Sequence, residues 1–455
     1  MKKRGGKSGR ASRTLPANER GGSLSLPSLL TAARIAGALA GFATQVVLAR
    51  TLQAHALGVF FSVTSLAAVV GLICALGYPA IAARFVSRYR EQGKERLIGV
   101  FVGESFRVAT ISVAIATIAV MAGAALWPSF DFDARLALAA AALSIPAHAF
   151  LRLNGYFAAA IRRFAVAYLP DTSIRPFLLL GGVLMLVACG LTLTASMVAW
   201  LLTAILTALA LVQYALLRRD LPKGARSVAP PRLTRLWRRE ANPLILVALF
   251  TNYFADVDIL LVTPLLTSAE TAALGLCLKL SLLVGFAVQV AHQVVVPDLA
   301  DARARKDNSS INDVVLRAFA FPLAITVGAM AVVALWGESL LAIFGPEFTS
   351  AKTPLLILMA CQLARALFGP SVLLLTVIGA QRQNAALAIA ALIVLAGANL
   401  VLLPLYGVLG AAIAVAIATL FWSVACAITL GRLSGLRTDA LYLMGRLGSP
   451  RSAPA

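Results

Sequence analysis

Apolar runs of about twenty residues, each nearly free of charge, recur along the whole 455-residue chain. A helix of that length rises about 30 Å, the thickness of a bilayer's hydrocarbon layer. Twelve such segments are marked: 29–48, 59–83, 101–127, 136–160, 165–190 and 195–217, then 244–266, 272–296, 314–336, 355–378, 385–405 and 409–430. Inside lipid a backbone must satisfy its own polar groups, so a spanning segment is a helix or part of a closed barrel. The dyad alternation of barrel strands is absent. The sequence therefore predicts an all-α membrane protein with twelve transmembrane helices.

Other classes fall away on composition. Hydrophobic residues make up 60% of the chain and charged residues 13%, where a soluble domain is nearer half and a quarter. The five cysteines all lie inside apolar segments with no CxxC spacing, which suits small buried side chains. His55, His148 and His292 are scattered, so no metal site, cofactor or catalytic pair is expected. The formal net charge of +21 does not point to nucleic acid, because the cations are confined to short loops between spans.

That confinement also sets the expected orientation. The 40 Lys and Arg concentrate in the amino-terminal tail, the 84–96 loop, the Arg162–Arg163 pair, the 218–239 and 303–317 loops, Arg382 and the carboxy-terminal tail. With both termini cytoplasmic, all of these fall on one side, and only Arg50, Arg135 and Lys352 fall on the other. Residues 1–28 then read as a disordered basic cytoplasmic tail, 29–217 as a first six-helix lobe and 218–241 as a cytoplasmic linker loop. Residues 242–431 form a second six-helix lobe, and 432–455 a cytoplasmic tail. The lobes echo each other weakly. Leu57-Gly58 opens a helix expected to end at Pro79, and Leu274-Gly275 one expected to end at Pro297. Two lobes of like orientation are related by an axis along the membrane normal.

Six cations lie in or at the edge of spans: Arg34, Arg107, Arg152, Arg175, Lys279 and Arg365. At mid-membrane a guanidinium costs at least ~2.5 kcal/mol, so it faces a wet cavity, a counter-ion or the surface. Arg365 is the deepest in its run, with Asp256 or Asp258 as a competing partner. Arg152 carries His148 one turn away, with Asn154 and Tyr156 close by. Asp171 and Arg175, at i, i+4, are expected to bridge, and so are Glu104 and Arg107 at i, i+3. Asp256 and Asp258 lie about 200° apart around a helix, so one faces a cavity while the other pairs elsewhere. With Asn252 a turn before it, Asp256 offers a face for a proton or Na⁺, and Lys279 is placed to neutralise one carboxylate.

Several motifs carry a family resemblance. Val47-Leu-Ala-Arg50-Thr-Leu, Leu76-Gly77-Tyr-Pro79, Arg84-Phe-Val-Ser-Arg-Tyr89, Asp256-Val-Asp258, Phe344-Gly345-Pro-Glu347 and Asn399-Leu-Val-Leu-Leu-Pro404-Leu-Tyr-Gly407 resemble, in order and spacing, the polysaccharide-transport flippases. These belong to the superfamily that also holds multidrug extruders and lipid II flippases. The resemblance implies a V-shaped, two-lobed transporter of the bacterial inner membrane, not an enzyme. Its substrate would be a polyprenyl-pyrophosphate-linked oligosaccharide, flipped to the periplasmic leaflet for O-antigen, capsule or exopolysaccharide synthesis. Membrane lipid and the polysaccharide polymerase and export machinery are the partners implied. A planar guanidinium suits a pyrophosphate, so Arg34, Arg152, Arg175, Lys279, Arg365, His148 and Asn154 are the expected substrate-binding residues. Asp256, Asp258 and Asn252 are the expected ion-coupling set. Lipid II flippases usually carry two further carboxy-terminal helices, for which this sequence offers no apolar segment. Multidrug extruders usually rely on buried carboxylates, where the first half here offers arginines. The alternatives are a multidrug/cation antiporter of the same superfamily and a non-transporting scaffold of polysaccharide assembly.

Overall fold

The computed structural model describes residues 26–126, 131–221, 229–304, 308–368 and 371–434. Among these there is no strand. The helices are α1 (Leu26–Thr51), α2 (Ala54–Cys74), α3 (Tyr78–Glu91), α4 (Glu95–Leu126), α5 (Phe132–Ala160), α6 (Phe164–Leu169), α7 (Arg175–Ala188) and α8 (Ala195–Leu217). They continue with α9 (Pro231–Asn252), α10 (Phe254–Val262), α11 (Ser268–Ala304), α12 (Asn308–Ala342), α13 (Lys352–Leu367), α14 (Ser371–Val377) and α15 (Gln381–Ser434). A π-helical turn, Pro170–Ile174, joins α6 to α7, and a 3-10 turn, Pro346–Ala351, precedes α13.

The bundle is apolar outside and small-residue inside. Ile111, Ile115 and Ile118 repeat at helical spacing on α4 and are each more than half exposed, at 52%, 65% and 69%. Water would not tolerate such a stripe, whereas lipid does. Interfaces instead use small side chains that let backbones approach: Ala137, Ala140, Ala141, Ala142 and Ala149 of α5, and Ala411, Ala412, Ala414 and Ala418 of α15, are fully or almost fully buried. This is a multi-pass membrane protein.

Nine helices among the described residues are long and apolar enough to cross a membrane, or ten when the bent pair α9 and α10 counts as one span. The difference from the twelve expected lies in two places. With 16 residues, α13 is shorter than a full crossing. The 54-residue α15 covers two of the expected segments, with non-helical backbone at Gly407 (φ 52°, ψ −131°). There the chain folds back, because Gly410 packs onto the Leu402 carbonyl, eight residues away. In a continuous helix that separation would be about 12 Å. The positive φ at 407 is a conformation that glycine adopts without a Cβ clash.

Helix directions follow from residue pairings. On α5 and α8, Asp133 meets Ser196 and Thr203 donates to the Ala140 carbonyl, so the two run parallel. On α11 and α13, Cys277 approaches the Ala351 carbonyl and Ser281 donates to that of Leu358, again parallel. Between the halves α2 and α11 run side by side in one direction. Gly58 meets the Ser268 backbone and Gly275 meets the Phe61 ring, each contact closed by the lack of a Cβ. The two glycines read as repeat partners thus serve one interface reciprocally.

Three local expectations change. The linker is not all loop: from Pro231, in the first turn where its missing N–H costs nothing, it is the start of α9. Trp237 is fully buried against Phe101 and donates to the Tyr89 hydroxyl at 3.0 Å, and Glu240 pairs with Arg84. The amino-terminal half therefore holds the first turns of α9. Second, α11 continues past Pro297 to Ala304. Third, segment 165–190 is interrupted at the Pro170–Ile174 turn, where Pro170 and Pro176 each remove a helix donor. Both tails, 1–25 and 435–455, lie outside the described residues.

Candidate functional site: charged groups between the halves

The site begins where a helix breaks. Between α9 and α10 the axis turns by 81° at Tyr253, whose backbone (φ −125°, ψ 19°) leaves the helical region. The break exposes Asn252 and puts Asp256 in the first turn of α10, where a carboxylate is favoured by the helix dipole. Non-helical backbone at membrane depth is tolerated where it lines a cavity. A cavity of about 60 Å³ lies there, lined by Asn252, Asp256, Ser281, Gln362, Arg365 and Thr419 among others. It has room for a few waters.

Arg365 sits in the last turn of α13, half-buried. Neither expected aspartate bridges it. Its guanidinium donates to Gln362 Oε1 at 3.4 Å, Gln362 donates to Ser281 Oγ at 2.9 Å, and no described carboxylate forms an ion pair with it. Asp256 instead accepts from Ser65 Oγ of α2 at 2.9 Å, a bond from one half to the other. Its strongest attractive charges are Lys279 and then Arg175. Asp258 is fully buried and accepts from Asn399 Nδ2 at 2.8 Å, while Asp258 Oδ2 and Asn399 Oδ1 have no hydrogen-bond partner.

Three of the remaining cations share a pattern. Arg34 of α1 lies over the Phe286 ring of α11 at 5.6 Å, and Arg152 of α5 over the Tyr253 ring at 5.4 Å. Lys279 of α11 lies over the Phe61 ring of α2 at 4.7 Å. Each contact joins a cation of one half to an aromatic face of the other, worth about 0.5–2 kcal/mol according to desolvation. Arg152 also lies 5.2 Å from the centre of the Tyr156 ring. Arg175 bridges Asp171 at 2.9 Å, on the π-helical turn against which α1 packs through Gly37.

Two expected residues do not join this set. Asn154 is fully buried between α5 and α8, donating to the Ala210 carbonyl at 3.1 Å, so it ties the two helices together. His148 packs its Cβ against Gly71 of α2, and its Nε2 is buried without a partner. Glu104 and Arg107 do not bridge; both line a separate cleft. Among the described residues no cluster suited to a metal ion occurs.

No family model and no curated protein matches the sequence. Solved structures do. An inward-facing MATE-family multidrug resistance transporter of the MOP superfamily superposes with TM-score 0.66 at 15% identity, over 90% of this chain and 97% of its own. The lipid II flippase MurJ, in an inward closed conformation, gives TM-score 0.68 at 13% identity, over 88% and 87%. The multidrug transporter DinF-BH with bound R6G gives 0.59 at 15%, over 91% and 98%. This chain has the fold of those exporters. At such identities the likeness extends to the fold alone.

Sequence reasoning passed over several residues that complete the site. Phe61, Tyr253 and Phe286 were inconspicuous because aromatic residues are common in spans. Gln362 had a usable signal, a polar side chain one turn before Arg365 on the same face. Asn399 opens the Asn399–Gly407 motif, but its sequence position carries no sign of a pairing with Asp258, 141 residues away.

Proposed function

We propose that the protein is an inner-membrane flippase. It moves a polyprenyl-pyrophosphate-linked oligosaccharide from the cytoplasmic to the periplasmic leaflet by alternating access. Counting α13 and the two arms of α15 as crossings gives twelve spans, six in each lobe, with both termini cytoplasmic. One observation carries the reading: Arg365 borders a cavity beside the interface of the halves and has no carboxylate partner among the described residues. A structural arginine in a span is held by an opposite charge or by backbone carbonyls, whereas Arg365 makes a long hydrogen bond to Gln362. An anion of the substrate supplies the missing charge, with Arg34, Arg152 and Lys279 along the same interface. In this state those three rest on aromatic rings, a weak hold that a pyrophosphate displaces with charge-assisted hydrogen bonds. The glycan occupies the space between lobes, and the polyprenyl tail stays in lipid.

Ion coupling falls to Asp258 with Asn399, whose two unpartnered oxygens accept a proton or a cation, and to Asp256. The Asp256–Ser65 bond crosses between lobes, so a change in the charge of Asp256 alters how the halves hold together. Asn252, exposed at the break, belongs to the path leading there.

Deletion of the gene tests the reading. The expected outcome is loss of a surface glycan with its lipid-linked precursor trapped on the cytoplasmic face. Normal glycan with sensitivity to cationic drugs would replace the flippase by the antiporter.

A further inference from the structure

We propose that a second, separate site at the basic end of the bundle binds the phosphate headgroup of an anionic membrane lipid. An open cleft of about 660 Å³ is lined by Glu104 and Arg107 of α4, by Ala229, and by Pro231, Thr234, Arg235, Arg238 and Arg239 of α9. It shares no residue with the cavity around Arg365, so it stands independently of the proposed transport function.

Four arginines line it, with Glu104 as the one acidic residue. Arg235, Arg238 and Arg239 occupy positions i, i+3 and i+4, which puts them on one helix face, and Arg107 lines the same cleft from another helix. Among the described residues none of the four forms an ion pair. The acid nearest in sequence, Glu240, is already held by Arg84. Like charges at this spacing repel, and an anion that enters the cleft relieves them. The helix that carries three of them is fixed before a ligand arrives, because Trp237, between these arginines in sequence, is locked against Phe101 and Tyr89. Planar guanidinia from two elements suit phosphate oxygens better than any single surface charge would.

The occupant follows from the setting. The first turns of α9 are amphipathic: Arg232, Arg235, Arg238 and Arg239 are exposed, and so is Leu236 at 39%. A helix with a basic face and an exposed leucine, at the end of a lipid-facing bundle, belongs in the headgroup layer. There the abundant phosphate anions are those of lipids. With the headgroup bound, α9 would be tied to the membrane surface at the point where it leads into the broken span.

The test is a native mass-spectrometry titration of the full-length protein with phosphatidylglycerol and with phosphatidylcholine of the same acyl chains. Each basic residue near an anionic surface contributes roughly fivefold, so phosphatidylglycerol is expected to bind tighter by roughly tenfold or more. The Arg107→Ala/Arg235→Ala/Arg239→Ala protein should lose that preference, the corresponding triple lysine protein should keep most of it, and Arg232→Ala, outside the cleft, should keep more of it than the triple alanine protein does. Single Arg239→Gln gives a second reading if the triple alanine protein fails to fold. Equal affinity for both lipids, or an unchanged preference in the triple alanine protein, overturns the proposal. Complete displacement of phosphatidylglycerol by millimolar inorganic phosphate also overturns it, since the site would then be one for soluble anions.

Discussion

A guanidinium in the last turn of α13 gains from the helix dipole about 0.3–1 kcal/mol. That is less than the ~2.5 kcal/mol which an arginine costs at mid-membrane. Its one hydrogen bond, 3.4 Å to Gln362, is long. Arg365 is therefore under-compensated in this state, and an anionic ligand has something to add. Arg365→Ala is expected to abolish complementation of a deletion strain at normal expression, while Arg365→Lys retains part of it, because Lys keeps the charge but not the fork. Full activity of the alanine variant would make the residue irrelevant to transport. Asp258 lends itself to a different measurement. Removing its donor with Asn399→Ala leaves a buried carboxylate less satisfied, and about 1–3 kcal/mol of stability should be lost. Asp258→Asn should instead melt near the parent temperature while losing dependence on an ion gradient, since a neutral amide relieves the burial cost. A strongly destabilised Asp258→Asn protein would point to a structural role. At this scale the sequence was informative where charge met apolar context, as at Arg365 and Asp256. It was silent on Asn399 and Tyr253, whose roles depend on which helix packs opposite.

Elements were legible where one apolar run makes one helix, as in α1, α4, α5 and α8, since length alone encodes such a span. Breaks were harder. The 81° turn at Tyr253 has no proline or glycine beside it: Pro243 is ten residues earlier and Pro264 eleven later. Nothing local announces it, and tertiary contacts such as the Ser65–Asp256 bond hold it. The Pro170–Ile174 turn did carry a signal in Pro170 and Pro176, which an apolar average conceals. The start of α9 reads as loop in the sequence because its charges hide an amphipathic helix anchored by one tryptophan. The reciprocal glycine contacts of α2 and α11 yield a prediction for the pair as an element. A Cβ at position 58 would collide with the Ser268 backbone, whereas one at 275 meets the more adjustable Phe61 ring. Gly58→Val should therefore separate α2 from α11 more than Gly275→Ala does. Distances between spin labels on the two helices would register the difference, and equal distances in both variants would contradict it.

Across the whole molecule, the halves meet at the end carrying Arg50 through several polar and aromatic contacts. The Arg50 guanidinium donates to the Ala342 and Ile343 carbonyls, each at 2.7 Å, where α12 ends and leaves acceptors free. Phe42 packs edge-on against Phe344 at 5.6 Å, and Ser62 and Thr263 hydroxyls lie 3.0 Å apart. If the protein works by alternating access, these contacts must break in each cycle. Arg50→Ala should then favour opening at that end, seen as faster labelling of a cysteine placed at Phe344; unchanged labelling would remove Arg50 from the closure. The central claim is that an anionic lipid-linked glycan passes between the halves with Arg365 engaging its charge. The most direct measurement is the movement of a labelled polyprenyl-pyrophosphate oligosaccharide across liposomes containing the purified protein. The account predicts movement with the parent protein and little above protein-free liposomes with Arg365→Ala. A parent protein that leaves this lipid in place while moving a cationic dye down an ion-coupled gradient would contradict it.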